Sequence, residues 1–196
     1  MSLGKQAKIL SQKQIESVLS YLSTTRYAHR DRVILLLSVK AGLRAKEIAS
    51  LKWSMITDAE SVLSDTICLT NTASKGRSGR IIPLNKDLRA ALSIWQDTQK
   101  SLHFQGDFVI STERGPKTSP TVIVNKFAKW YHALGFQGAS SHSGRRTFIT
   151  NAARQVYSVG GSLRDVQILA GHSALGTTQR YIEANAESQR RLLDLI

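Results

Sequence analysis

Leu169-Ala170-Gly171-His172-Ser173, followed by Thr177-Thr178-Gln179-Arg180-Tyr181, sets a histidine behind a glycine and a tyrosine nine residues further on. A lone tyrosine on a helix usually packs, and a lone histidine is more often a cap or a core residue than a functional one. The pair gains meaning from what stands upstream. Ser141-His142-Ser143-Gly144-Arg145-Arg146-Thr147-Phe148 reads as a helix start, with His142 and Arg145 three apart and able to point the same way. Earlier still, Ser74-Lys75-Gly76-Arg77-Ser78-Gly79-Arg80 precedes Ile81-Ile82-Pro83-Leu84, the pattern of a β-hairpin with a basic, glycine-containing tip. In Gly42-Leu43-Arg44-Ala45-Lys46-Glu47-Ile48, Arg44 and Glu47 share one helical face at a helix start. In isolation that pair would be a surface ion pair of little worth.

Charge supplies the next constraint. Lys and Arg number 27 against 14 Asp and Glu, a formal net charge of +13 in 196 residues. A protein this basic concentrates polyanions at its surface, and nucleic acid is the commonest such partner. The single cysteine, Cys68, excludes an internal disulfide and a cysteine-built metal site. Its setting, Thr66-Ile67-Cys68-Leu69, predicts a buried, inert thiol. The longest apolar run, Val33 to Ser38, falls far short of the roughly 20 residues a membrane span needs. No secretory signal opens the sequence, so the expected location is cytoplasmic and nucleoid-associated.

Periodicity predicts a mainly helical chain. Ser11 and Gln14 have capping-box spacing before Ile15, Val18, Leu19 and Leu22. A second helix is expected over about Arg30 to Lys40, ending at Gly42, and a third over about Ala45 to Trp53. Val62 to Thr70 and Arg80 to Leu84 read as strands. Helices resume with Leu88, Ala91, Leu92 and Trp95, and Phe108 to Ser111 reads as extended. Ser119-Pro120 marks a further helix start, carrying Val124, Phe127, Ala128, Trp130 and Tyr131 and stopping at Gly135. The rest reads as short helices broken at Gly160-Gly161, Gly171 and Asn185. Strands and helices do not alternate as a parallel sheet requires, which disfavours nucleotide-binding α/β folds.

In chain order the polar set runs Gly-Leu-Arg44-x-x-Glu47, Lys75 in a hairpin, His142-x-x-Arg145, Gly171-His172, and Thr-Thr-x-x-Tyr181. This resembles the tyrosine recombinase or phage integrase family, motif by motif and in that family's order, from about Leu10 to Ile196. Lys75 stands five residues before Arg80 and eight before Pro83, as in the family's hairpin. The resemblance implies an α+β, mainly α fold: an integrase-like catalytic core of packed helices with one small antiparallel sheet. Residues 1–10 would be an N-terminal tail and 11–196 the catalytic domain, without the helical core-binding domain that most members carry ahead of it. Half a clamp of this kind is expected to bind DNA weakly and with strong salt sensitivity.

The implied activity is site-specific recombination, cutting and rejoining DNA through a 3′-phosphotyrosine without metal, ATP or cofactor. Phosphoryl transfer builds charge on the equatorial oxygens. Arg44 and Arg145 can hold those oxygens with permanently charged, paired donors, and His172 would add a third. Aligned donors typically supply roughly 10²–10³-fold in rate each. Tyr181 would be the nucleophile, His142 its general base and Lys75 the general acid for the leaving 5′-oxygen, with Glu47 steadying Arg44. Arg77, Arg80, Arg146 and Arg180 are the expected further DNA contacts. Tyr131, on an aromatic face with Phe127, and Tyr157, ahead of the Gly-His element, are the rival tyrosines. The family usually has an apolar residue where Gly144 stands, so Gly144 is expected to remove a packing anchor beside Arg145.

Expected partners are double-stranded DNA, further copies of the chain in a synaptic tetramer, and accessory DNA-bending proteins, with no membrane. An apolar stripe of Leu192 and Ile196 is expected to pack either on a neighbouring copy or on the chain's own core. Three other readings compete: relaxation of supercoils by type IB topoisomerase chemistry, a catalytically inactive DNA-binding regulator, and an RNA-binding domain supported by charge alone.

Overall fold

The computed structural model describes residues 6–74, 78–104, 106–113, 115–181 and 193–194. Helix α1 (Gln12–Ser23) opens on the expected capping box: Gln14 N donates to Ser11 Oγ at 3.2 Å and Ser11 N to Gln14 Oε1 at 2.9 Å. It buries Ile15, Val18 and Leu22. Helix α2 (Ala28–Ala41) carries the longest apolar run and is buried nearly all round, from Val33 to Val39. Gly42 ends it in the left-handed conformation, φ 65°, which glycine adopts at little cost.

Helix α3 (Ala45–Ser50) stops short of the expected Trp53. Leu51 turns extended and its carbonyl accepts Val109 N at 2.9 Å, while Trp53 N donates to Asp107 O at 2.7 Å. Tertiary pairing with the extended Phe108 segment overrides helix propensity, and Trp53–Met55 becomes a 3₁₀ turn. Strands β1 (Thr66–Leu69) and β2 (Arg80–Pro83) pair antiparallel with Ile67 opposite Ile82. Both are shorter than their apolar patterns suggested. Alternation along β1 turns Ile67 and Leu69 inward and leaves Cys68 exposed. The expectation of a buried thiol is therefore wrong: in a strand with one covered face, neighbours of buried residues face solvent.

Helix α4 (Lys86–Ser101) buries Leu88, Ala91, Leu92 and Trp95 against α2. Helix α5 (Pro120–Ala133) is capped by Ser119, whose Oγ accepts Val122 N at 3.2 Å. It buries Phe127, Trp130 and Tyr131, the last stacked on Phe127 with centroids 5.9 Å apart. Tyr131 is thus a packing residue, as expected. Helix α6 (Ser143–Gln155) crosses α2 and leads into a 3₁₀ turn bearing the exposed Tyr157. Helices α7 (Leu163–Ala170) and α8 (Leu175–Gln179) follow, with Gly171 at φ 62° closing α7. A second, smaller apolar cluster of Ile149, Ala153, Val156, Val166 and Ala170 joins α6 to α7, and Tyr181 packs on it. The result is a mainly helical body with a two-stranded antiparallel sheet, as anticipated. The hairpin tip with Lys75 and Arg77, the break at Asn185 and the Leu192–Ile196 stripe lie outside the described residues. No helix among the described residues is long and apolar enough to cross a membrane.

Candidate active site

Close packing of α6 on α2 sets the floor of the site. A Cβ on Gly144 would lie 2.3 Å from Ser38 Oγ, 2.9 Å from Ser38 Cβ and 3.0 Å from Val39 Cγ1. Glycine is therefore the condition for the close approach of the two helices, not a missing anchor beside Arg145. Gly42 has a matching role, because its Cβ would fall 2.4 Å from the Phe148 ring on α6.

Arg145, one residue on, is 4% exposed. Its Nη1 donates to Gly42 O and its Nη2 to Ala170 O, each at 2.6 Å. Those carbonyls stand at the C-termini of α2 and α7, where unpaired carbonyls and the helix dipole favour a cation. Burial, and after it the nearby Arg44, draw the Arg145 pKa down to about 10, so it remains charged at neutral pH.

Arg44 sits at the N-cap of α3 with its side chain partly exposed. Its backbone N donates to Glu47 Oε2 and its Nη1 to Glu47 Oε1, both at 2.9 Å. Glu47 is fully buried and faces a second cation. Arg80, expected among the DNA contacts, is 9% exposed and turned inward. Its Nη1 and Nη2 reach the two Glu47 oxygens at 3.1 and 3.2 Å, and its Nε donates to Leu169 O at 2.7 Å. A buried carboxylate needs such compensation. Burial pushes the Glu47 carboxyl upward, yet Arg80 and then Arg44 outweigh it and hold the pKa below the usual value. Arg80 thereby links β2, α3 and the end of α7.

His172 follows the Gly171 turn. Its Nε2 lies 3.0 Å from Arg145 Nη2 and its Nδ1 lies 2.9 Å from Thr178 Oγ1. Gln167 Nε2 donates to its carbonyl at 2.9 Å. Burial first, then Arg145, Arg44 and Arg80, lower its pKa to about 4. The Tyr181 ring stacks on the imidazole, centroids 5.7 Å apart at 22°, and Tyr181 N donates to Thr178 O at 3.0 Å. His142 is exposed at the N-cap of α6.

Arg44, His142, Arg145, His172 and Tyr181 line one open cavity of about 500 Å³. Arg146 and Arg180, two further expected DNA contacts, line it too, and Arg146 Nη1 donates to Gln6 Oε1. A neighbouring cavity of about 740 Å³ runs from Arg44 and His172 past Gly79 and Arg80, at the foot of the hairpin. Sequence reasoning did not single out Gln6, Ala7 or Ser140, which share the first cavity with Thr177 of the quoted terminal motif. Nor did it give Thr178 a role, although Thr178 lies inside the quoted terminal motif. The carbonyls of Gly42 and Ala170 carry no side-chain signal at all.

The model of the phage integrase family matches residues 8–188. Tyrosine recombinase XerC of Shewanella amazonensis is 29% identical over 99% of this chain and 64% of its own length. Tyrosine recombinase XerA of Thermococcus onnurineus is 28% identical over 94% of this chain and 61% of its own. The chain thus spans less than two thirds of those relatives. Among solved structures, the crystal structure of XerA recombinase superposes with a TM-score of 0.75 at 23% identity, covering 95% of this chain and 64% of that one. The Tn1549 transposon integrase in complex with transposon right end DNA gives 0.76 at 19% identity, covering 100% and 67%.

Proposed function

The chain belongs to the phage integrase family, and on that premise we propose that it is a site-specific recombinase whose Tyr181 cuts and rejoins double-stranded DNA. One observation carries the reading: residues from separate segments, Arg44, His142, Arg145, His172 and Tyr181, converge on a single open cavity. Three of them, Arg44, Arg145 and His172, offer donor groups suited to the oxygens of a phosphodiester.

In this reading Arg44 and Arg145 draw the scissile phosphate into the cavity and neutralise charge on its non-bridging oxygens. Tyr181 Oη attacks phosphorus while the bond to the 5′-oxygen breaks, and the tyrosine proton passes to His142. Lys75 supplies the proton to the leaving 5′-hydroxyl. The 3′-phosphotyrosine keeps the energy of the broken phosphodiester. Attack by a 5′-hydroxyl then reverses the steps, returns the proton to Tyr181 and needs no ATP. Arg77, Arg146 and Arg180 serve as flanking phosphate contacts, and Arg80 acts through Glu47. Strand exchange requires more than one active site, so assembly of copies on DNA, with or without DNA-bending partners, belongs to the proposal, as does a cytoplasmic, nucleoid-associated location. The named relatives favour exchange over simple relaxation of supercoils.

Covalent trapping tests this. The protein is incubated with sheared DNA, quenched in detergent, and the attached fragments are sequenced, with Tyr181→Phe in parallel. Adducts in wild type alone, enriched in a common sequence, are expected. Adducts that persist in Tyr181→Phe would remove that residue as nucleophile, and relaxation of any supercoiled plasmid without sequence preference would favour the topoisomerase reading.

A further inference from the structure

Arg145 can only donate hydrogen bonds, since a guanidinium has no acceptor. Its Nη2 stands 3.0 Å from His172 Nε2, so that nitrogen must present its lone pair. A neutral imidazole has one N–H, and it therefore lies on Nδ1 and donates to Thr178 Oγ1, 2.9 Å away. The environment keeps the ring neutral, because burial and three neighbouring guanidiniums oppose a second proton. In this arrangement the cavity face of His172 is thus an acceptor occupied by Arg145. A phosphodiester oxygen requires the opposite: a donor on Nε2.

We propose that Thr178 is a positioning residue that lets His172 exchange its tautomer, from Nδ1–H in the free protein to Nε2–H when a phosphate enters the cavity. The inference rests on the reading above, in which His172 meets the phosphate. The anion draws Arg145 Nη2 off Nε2, which is then free to carry a proton. One proton leaves Nδ1 and one is taken up at Nε2, with solvent as the carrier, so the ring is neutral before and after the exchange. Nδ1 becomes an acceptor, and it needs a donor in place of the acceptor it had before. The Thr178 hydroxyl serves both states, accepting from Nδ1–H in the first and donating to Nδ1 in the second. Thr178 is fully buried and its hydroxyl lies 2.9 Å from that nitrogen, while the imidazole itself is only partly buried and within reach of solvent. Its backbone carbonyl also accepts Tyr181 N at 3.0 Å. One residue thereby sets both the hydrogen-bond sense of His172 and the backbone position of Tyr181.

Nitrogen NMR on histidine-labelled protein, free and saturated with inorganic phosphate, reads the tautomer directly. Wild type and Thr178→Ser are expected to carry the His172 proton on Nδ1 when free and on Nε2 with phosphate. Thr178→Val, which keeps the shape and removes the hydroxyl, should fail to make that exchange. In the trapping assay Thr178→Val should form the DNA adduct at least about tenfold more slowly, with the roughly 10²–10³-fold of one lost transition-state donor as the upper limit. Thr178→Ser should recover most of the rate, and DNA retention should be equal in all three. The idea is overturned if the proton stays on the same nitrogen in wild type with and without phosphate, or if Thr178→Val reacts at the wild-type rate. Absence of any adduct in wild type would sink the recombinase reading, while the NMR comparison still decides whether the exchange occurs.

Discussion

The Arg80 guanidinium closes on the Glu47 carboxylate through both terminal nitrogens, at 3.1 and 3.2 Å, with neither side chain more than 4% exposed. The same carboxylate holds Arg44 from its other side. The pair therefore ties strand β2, which leads from the hairpin, to the helix start that presents Arg44 to the cavity.

Breaking it should cost both stability and activity. Glu47→Gln leaves the Arg80 cation buried and half-compensated, and a loss of about 3 kcal/mol or more is expected in urea unfolding. Adduct formation should fall further than stability accounts for, because Arg44 loses its anchor. A Glu47→Gln variant that unfolds and reacts like wild type would show the network to be dispensable.

Gly144 gives a packing test. Gly144→Ala forces a methyl to within 2.3 Å of Ser38 Oγ, so α6 must shift from α2, at about 1–3 kcal/mol. Ser38 Oγ is buried without a hydrogen-bond partner among the described residues. Ser38→Ala alone should therefore be neutral or slightly stabilising, and in the double variant it should recover part of the loss. Thermal melts of the three variants decide.

Tyr131 offers a stabilising change. Its hydroxyl is buried with no hydrogen-bond partner among the described residues, and burial pushes its pKa up. Tyr131→Phe removes a desolvated polar group and should raise stability by about 1 kcal/mol. DNA adduct yield should stay the same, in contrast to its loss in Tyr181→Phe. A drop in adduct with Tyr131→Phe would reopen the question of which tyrosine attacks.

His172 links folding to pH. Its folded pKa, about 4, lies below the ordinary 6.5. The unfolded chain therefore binds a proton between those values that the folded chain refuses. Its contribution is fully present above pH 6.5 and is lost as pH falls toward 4. Urea midpoints measured from pH 7.5 down to 4.5 should decline, and His172→Gln should flatten that part of the decline. Parallel curves for the two proteins would show that the imidazole titrates normally in the fold.

Much of this protein was legible in its residues. The Ser11–Gln14 box, the Gly42 and Gly171 stops and the Ser119-Pro120 start are local events, decided by capping groups and left-handed turns within a few residues of each other. The ordered spacing from Arg44 to Tyr181 was equally plain, because each motif needs only its own neighbours. What the chain could not disclose involves partners far apart in sequence. Arg80 looked like a surface cation until α3 brought Glu47 against it from 33 positions away. The helix from Ala45 ended early because Leu51 and Trp53 found the Phe108 segment. Gly144 reads as a weak point along its own helix and as a requirement only once α2 lies against it. Backbone carbonyls hold Arg145, and a carbonyl has no letter in the sequence. Local hydrogen bonds and steric preferences are written in short stretches. Burial, which turns an ordinary ion pair or methyl-sized gap into a decisive one, exists only after distant segments have packed.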